Sequence, residues 1–453
     1  MPKRCVLLLL DGLGDRAHER LGGMTPLQAA RTPNLDALAA RGGLGLYHAG
    51  LVGQPLPSEN AHFAMFGRSP EQFPGRGPLE ALGFGLDLSP EEVVVLAHLA
   101  CVEEDGPVFR LREDVPRADA ETVASLVAAV NAAVNAAEEH FEADGISIRY
   151  HAFKGTFGVL VLSGGATPFF TDTGVMLAGA VIPEIAPLAS HANDERTRAT
   201  CRALTRYVIH ARDALARHPA NLARRKAGLA PLDFVVTQRP GRAPAVASLR
   251  QTHGLDGLSI SSGAMYRGLC RHLGMAHENA PDSGDVEADY RAALRLARRR
   301  LQGFDFIHVH SKAPDVAAHT KDPQAKLRAI EALDRAIGAE AMDLAADPDV
   351  LLVVAADHST PSSGPLIHSG EPVPVLFHGR GVRRDEETRF DEIAAARGAL
   401  GTLRGGELML SILNALDRAK LAGIMDTPLD QPYFPGDCNP FPVSGNKDGG
   451  ERT

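Results

Sequence analysis

Val350-Leu351-Leu352-Val353-Val354-Ala355-Ala356-Asp357-His358-Ser359-Thr360, followed by His368-Ser369-Gly370-Glu371-Pro372-Val373-Pro374, is the stretch that decides the fold. The run from Val350 to Val354 is uninterrupted and apolar, as expected of a parallel strand buried on both faces. Asp357 and His358 follow it directly. Neighbouring acid and imidazole groups are poor core material, but oxygen and nitrogen donors together suit a divalent metal such as zinc or manganese. Two other apolar strands run into acids or histidines in the same way. One is Val6 to Leu10 before Asp11. The other is Phe304-Asp305-Phe306-Ile307-His308-Val309-His310 before Ser311-Lys312-Ala313-Pro314-Asp315. Together they point to a two-metal site built at strand ends.

The chain has 453 residues, enough for two domains and a large core. Its net charge of -9 argues against a broad nucleic-acid-binding surface. Arg298-Arg299-Arg300 reads as a solvated helix face. No segment approaches the roughly 20 apolar residues of a membrane span. Cys5-Val6-Leu7-Leu8-Leu9-Leu10 is too short and lacks a signal-peptide cleavage site, so a cytoplasmic location is expected. The five cysteines are scattered and form no disulfide or zinc framework.

Strands and helices alternate over most of the chain. Strands are expected at 6–10, 234–236, 258–260, 304–309, 350–355 and 373–377. Helices are expected at 59–66, 194–218, 286–301, 323–344 and 404–419, with another starting at Thr32-Pro33. This pattern implies an α/β core with a mostly parallel sheet between helices. Ligands of such sheets sit beyond the carboxyl ends of the strands. From about residue 93 to 187 the texture changes. Strands at 93–101, 146–151 and 158–163 flank an Ala-rich helix at 118–143, which suggests a smaller inserted α+β lid. The expected division is therefore a discontinuous core of 1–92 and 188–429, a lid of 93–187, and an irregular tail of 430–453 rich in Pro, Gly and Asn.

Several positions carry possible chemistry, each with a plainer alternative. Asp11 after its strand suits a turn or a helix cap. Asp315 and His319 are four apart, which on a helical turn lets both reach one metal or merely form a surface pair. His368 lies in a Gly/Ser-rich loop. Ser58 follows Pro57 and precedes a helix, where backbone N–H groups favour an anion. It reads equally as a simple N-cap or as a nucleophile, the latter only if metal ligands gather beside it.

Leu10-Asp11-Gly12-Leu13-Gly14-Asp15-Arg16, Thr25-Pro26-Leu27-Gln28-Ala29-Ala30-Arg31-Thr32-Pro33-Asn34-Leu35-Asp36, Pro57-Ser58-Glu59-Asn60-Ala61-His62 and Gly75-Arg76-Gly77-Pro78-Leu79-Glu80-Ala81-Leu82-Gly83 resemble the archaeal-type 2,3-bisphosphoglycerate-independent phosphoglycerate mutases of the alkaline phosphatase superfamily. Later stretches continue the likeness in order, so that it covers most of residues 5–420. The resemblance implies an alkaline-phosphatase-like core and two divalent ions, manganese or zinc, with no 2,3-bisphosphoglycerate. One ion would be held by Asp11, Ser58, Asp357 and His358, the other by Asp315, His319 and His368. Ser58 would be the nucleophile that forms a phosphoserine, and Lys312 would stabilise the leaving oxygen or a phosphate. Asn60 could bond a phosphoryl oxygen, and His62 could contact substrate or support the site. The substrate implied is a small phosphorylated acid.

The departures from that pattern fall where substrate should be read. The family places an arginine in the strand that opens the lid, and Val95-Leu96 stands there. The arginine-rich segment expected next survives only in part, as Arg112-Glu113-Asp114-Val115-Pro116-Arg117. An expected lysine is Arg267. Losing such grips weakens binding of a small trianion by roughly 1.5–3 kcal/mol per charged hydrogen bond. Arg76, Arg110, Arg112, Arg117 and Arg267 could compensate. The leading expectation is interconversion of 3- and 2-phosphoglycerate. The alternative is a phosphohydrolase, or a mutase of another small phosphorylated or phosphonate acid.

Overall fold

A computed structural model describes residues 1–136 and 145–420. The end of the 118–143 helix and the tail lie outside the described residues. The first two strands are β1 (Arg4–Leu10) and β2 (Gly43–His48). Next come β3 (Val93–Asp105), β4 (Val108–Glu113), β5 (Ser147–Lys154), β6 (Phe157–Ser163) and β7 (Phe234–Gly241). The chain continues through β8 (Gly257–Ser261), β9 (Ala276–Asn279), β10 (Phe306–Ser311), β11 (Val350–Ala355), β12 (Val373–His378) and β13 (Gly401–Arg404).

Eight strands form the main sheet in the order β13-β2-β12-β11-β1-β10-β8-β9. Pairing is parallel from β11 through β9, and β12 lies antiparallel to both β11 and β2. The centre is mainly apolar: Val6, Leu8, Leu10, Ile307, Val309, Leu352 and Val354 are all fully buried, with His308 and His310 buried among them on β10. Register fixes the depth of the strand ends. Leu9 pairs with Ala355 and Leu10 with Ser311. Asp11, Lys312 and Asp357 therefore emerge side by side at one carboxyl edge. The backbone N–H of Asp315 donates to the carbonyl of Asp11 at 3.1 Å, which ties the helix Ala313–His319 to the end of β1.

Three strands of the main sheet, β2, β9 and β13, escaped the sequence pattern. β2 is glycine-rich, and a Cβ on Gly45 would lie 2.5 Å from the carbonyl of Gly401 on β13. Close backbone approach replaces side-chain patterning there. The last helix consequently starts at Glu407 rather than Arg404, because Gly401–Arg404 pairs with β2.

The five consecutive strands β3 to β7 make a second, antiparallel sheet. The helices Ala120–Ala136 and Glu195–Arg217 pack on it, and Val93, Leu99, Leu126, Leu204, Tyr207 and Val235 share one apolar cluster. A lid ending at residue 187 does not match this pairing, since β7 joins β3 rather than the main sheet. A short apolar run such as Phe234-Val235-Val236 does not reveal which sheet it joins. The second unit thus spans 93–241.

Cys5, Cys101, Cys201 and Cys270 are buried free thiols. Among the described residues no helix is long and apolar enough to cross a membrane.

Behind the strand ends, Lys326 is fully buried. Its ammonium donates to the carbonyls of Gly14 (2.7 Å) and Thr360 (2.8 Å) and lies 3.3 Å from Asp15. It clamps the loops after β1 and β11 to each other. Nearby, Glu392 accepts from Thr25 at 2.8 Å, while its other oxygen is buried without a partner. Desolvation pushes this carboxyl up to about 7. Between the ordinary carboxyl range and that value the folded protein keeps a proton that the unfolded chain has released, so stability falls as pH rises through the window. Glu392→Gln should therefore be more stable than the natural protein at pH 8, on the order of 3 kcal/mol, and close to it at pH 4. Denaturant midpoints at the two pH values measure this.

Candidate metal and phosphoryl-transfer site

Three carboxylates meet at the carboxyl edge of the sheet, and all are buried. In each, one oxygen is hydrogen-bonded and the other is not. Asp11 Oδ2 accepts from the Tyr266 hydroxyl (2.7 Å) and His310 Nε2 (2.9 Å), while Oδ1 is bare. Asp357 Oδ1 accepts from the backbone N–H groups of Gly12 and His358, each at 3.0 Å, while Oδ2 is bare. Asp315 Oδ1 accepts from the Thr360 hydroxyl at 2.9 Å, while Oδ2 is bare. Three orphaned anionic oxygens inside one site fit coordination to cations.

His358 and His368 are oriented by their far nitrogens. The Thr360 hydroxyl gives its single proton to Asp315, so at its other contact, 3.0 Å from His358 Nδ1, it accepts from that ring. This aims His358 Nε2 at Ser58 Oγ (2.9 Å), Asp357 Oδ2 (3.1 Å) and Asp11 Oδ1 (3.5 Å). His368 Nδ1 donates to the Leu56 carbonyl at 2.7 Å, leaving Nε2 3.6 Å from Asp315 Oδ1. His319 Nε2 is 3.2 Å from the same oxygen. A partner on the far nitrogen is the usual way a ligating imidazole is held. Donor atoms of Asp11, Asp315 and His358 lie within 4.8 Å of one another, as do those of Asp315, His319 and His368.

Electrostatics agrees with this demand for cations. Burial raises the pKa of Asp11, and Asp357 adds to that, but the bond from His310 and the charges of Lys312 and His358 hold it below the usual carboxylate range. Asp315 and Asp357 are also held low, against burial, chiefly by neighbouring histidines. Burial disfavours a charged His358, yet Asp357, Asp11 and Asp315 push the ring up to about 9. Without a metal, its proton is the nearest counter-charge. Lys312, half-buried, lies 3.5 Å from Asp315 Oδ2, and the same three carboxylates keep it charged.

Ser58 is the first residue of the helix Ser58–Met65, whose cap is Pro57. Its side chain makes no capping bond and instead reaches His358. The N-cap alternative therefore does not describe it. The positive φ of Gly12 (66°) admits the approach of Thr360 and Asp315. A Cβ there would lie 2.6 Å from the Thr360 hydroxyl oxygen.

The chain matches the profile of the Metalloenzyme superfamily over residues 3–415. It is 37% identical over 439 residues to 2,3-bisphosphoglycerate-independent phosphoglycerate mutase 2 of Methanocaldococcus jannaschii, covering 96% of this chain and 98% of that one. It is 34% identical to the 2,3-bisphosphoglycerate-independent phosphoglycerate mutase of Ignicoccus hospitalis, covering 93% and 99%. The chain belongs to this family of metalloenzymes. A solved protein of Pyrococcus horikoshii superposes with a TM-score of 0.75 at 28% identity, over 93% of this chain and 100% of the other. The cofactor-independent phosphoglycerate mutase of Thermoplasma acidophilum gives 0.63 at 27%, over 91% and 100%.

In this member of the mutase family, all seven expected ligand residues fall into one connected cluster. The substrate positions divide. His62 is fully buried, donates from Nδ1 to the Ser58 carbonyl at 2.8 Å and lies 3.4 Å from Asp357. It supports the site from within. Arg76 pairs with Glu59 at 3.1 Å, next to Ser58, and Asn60 lines the cavity beside that segment. Arg267 instead holds the Gly83 carbonyl and Asn279. The Arg117 carbonyl accepts from Arg224. Among the described residues neither Arg117 nor Arg267 contacts the cluster.

Sequence reasoning missed Tyr266, His310, Thr360 and Arg239. For His310 a signal existed: on a strand, His308 and His310 share one face of a segment that ends at the site. Arg239 reaches Glu59 from β7 at 2.8 Å, a partner 180 residues away that no local pattern reveals.

Thr360→Val removes the bond that orients His358 and the bond that holds Asp315. Manganese affinity, titrated calorimetrically into chelator-treated protein, should drop about 10- to 100-fold with the far-ultraviolet circular dichroism unchanged.

Proposed function

We propose that this chain is a metal-dependent phosphomutase that interconverts 3-phosphoglycerate and 2-phosphoglycerate through a phosphoserine at Ser58. The observation that carries the reading is the Ser58 hydroxyl 2.9 Å from His358 Nε2, inside a ring of bare carboxylate oxygens. We assign one divalent ion to Asp11, Ser58, Asp357 and His358, and another to Asp315, His319 and His368. Manganese or zinc suits these oxygen and nitrogen donors. Bound there, the pair would lower the pKa of the Ser58 hydroxyl and neutralise charge on the transferring group.

The chain's own residues supply the rest. Ser58 Oγ, as the alkoxide, attacks phosphorus, and the bond between phosphorus and the substrate's oxygen breaks with its electron pair leaving on that oxygen. Lys312, charged and beside Asp315, stabilises the leaving oxygen and supplies its proton. The freed glycerate then presents its other hydroxyl to the phosphoserine. That hydroxyl attacks, Ser58 is released and the proton returns to Lys312. Arg76 and Asn60 hold the acid while it turns. The second unit, 93–241, acts as the lid that keeps water from the phosphoserine. The same sheet and cluster would serve a phosphohydrolase equally. The Glu59–Arg76–Arg239 contact between the units favours the closed, water-excluding reading.

The manganese-loaded protein incubated with 3-phosphoglycerate should yield 2-phosphoglycerate without stoichiometric phosphate. Phosphate alone would replace the mutase by a hydrolase. Ser58→Ala should lower the rate by more than about 10³-fold. Chelation should abolish turnover, and separate reconstitution with manganese and zinc identifies the working ion.

A further inference from the structure

Between the helix Arg76–Gly83 and the second sheet lie two cavities, of about 570 and 710 Å³. Arg76 and Arg239 belong to the walls of both. The smaller cavity reaches Pro57, Glu59 and Asn60, the residues that flank Ser58. The larger therefore continues outward from the proposed transfer site, across a threshold of two guanidinium groups.

That threshold is built. The Glu59 carboxylate, 2% exposed, accepts from Arg76 at 3.1 Å on one oxygen and from Arg239 at 2.8 Å on the other. Arg239 sits at φ 49°, in the left-handed region, where the β3–β7 register shifts between Val94 and Leu96. Bulges of this kind re-aim a side chain. Two fixed arginines beside Ser58 suit the carboxylate of a substrate.

Beyond them the larger cavity carries Glu80, His98, Asp114 and Lys154 on its rim, but the greater part of its wall is apolar and exceeds what a three-carbon trianion fills. Leu96 and Ala97 of β3 face it, with Phe84 and Phe153 stacked on each other at 4.1 Å and 14°. Phe84, Phe157 and Met176 are 42%, 52% and 59% exposed, though each borders this one cavity. Exposed apolar side chains gathered around a concavity mark a binding surface. A phosphorylated three-carbon acid gripped at the arginines leaves this volume unfilled.

We infer that, besides phosphoglycerate, the site takes a phosphorylated acid bearing an apolar or aromatic substituent, which this cavity seats while the arginines hold the acid group. The inference rests on the phosphotransfer reading of Ser58 and extends its substrate class. Phosphonates test binding apart from transfer, because their P–C bond cannot pass a phosphoryl group to Ser58. The N-acetyl and N-benzoyl derivatives of 2-amino-4-phosphonobutanoate carry equal charge and differ in the apolar group. Calorimetry on the manganese-loaded protein should find the benzoyl compound at least tenfold tighter. Phe84→Ser and Phe157→Ser, both at exposed positions, should each cut that preference below threefold and leave the acetyl compound's affinity unchanged. Equal or weaker binding of the benzoyl compound, or binding of neither, would overturn the inference. Phosphoserine formation from 3-phosphoglycerate with no benzoyl preference would defeat the larger substrate alone. Benzoyl preference without any phosphoserine would defeat the transfer mechanism instead.

Discussion

Mutual repulsion among Asp11, Asp315 and Asp357 is the constraint on which the rest of this structure depends. Carboxylates taken out of water are costly, and their like charges add to the cost. Tyr266, His310, Thr360 and two backbone N–H groups satisfy one oxygen of each acid. The remaining three oxygens have no hydrogen bond. Among the described residues, His358 and Lys312 bring positive charge close to all three acids. The arrangement becomes economical when divalent cations take the bare oxygens, and such a centre supplies what phosphoryl transfer requires.

The sheet makes this crowding unavoidable. Parallel pairing of β1 with both β10 and β11 places three strand ends at one depth. The closely packed, buried strands below leave no slack through which an acid could retreat. The loops above are fastened by Lys326, whose two carbonyl partners belong to the loops bearing Asp11 and Asp357. A buried ammonium is itself expensive, but here its protons add to the backbone bond that joins the two loops directly, from the Thr360 N–H to the Gly14 carbonyl at 2.9 Å. Rigid strands and a clamped rim hold the ligands near the geometry that coordination needs.

Much of the carboxylate–histidine cluster was legible in sequence because its parts obey local rules. Apolar strands ended in Asp11 and in Asp357-His358, and a four-residue spacing joined Asp315 to His319. What stayed hidden depends on contacts remote in sequence. Thr360 matters through Asp315, 45 residues away, and Tyr266 through Asp11, 255 residues away. Arg267 looked like a substrate grip from its motif position, yet the packing of its helix against Gly83 turns it aside. The lid boundary failed for a similar reason. β7 joins β3 through pairing across more than 130 residues, and a three-residue apolar run carries no address. Glycine-rich β2 was missed because a strand defined by close backbone approach has little side-chain pattern to read.

Glu59 connects these two sides. It follows the proposed nucleophile by one residue, and its carboxylate is shared between an arginine of the core and one of the second sheet. Arg76 is also paired with Glu80. With these acids close by, the arginines add little net charge to the site. Their value lies in direction rather than attraction, since planar guanidinium groups held from behind offer fixed donors to an incoming carboxylate. The strong pull on a phosphorylated substrate must then come from the metal side. Discrimination among acids is left to what surrounds the arginines, and in this chain that surrounding is largely apolar.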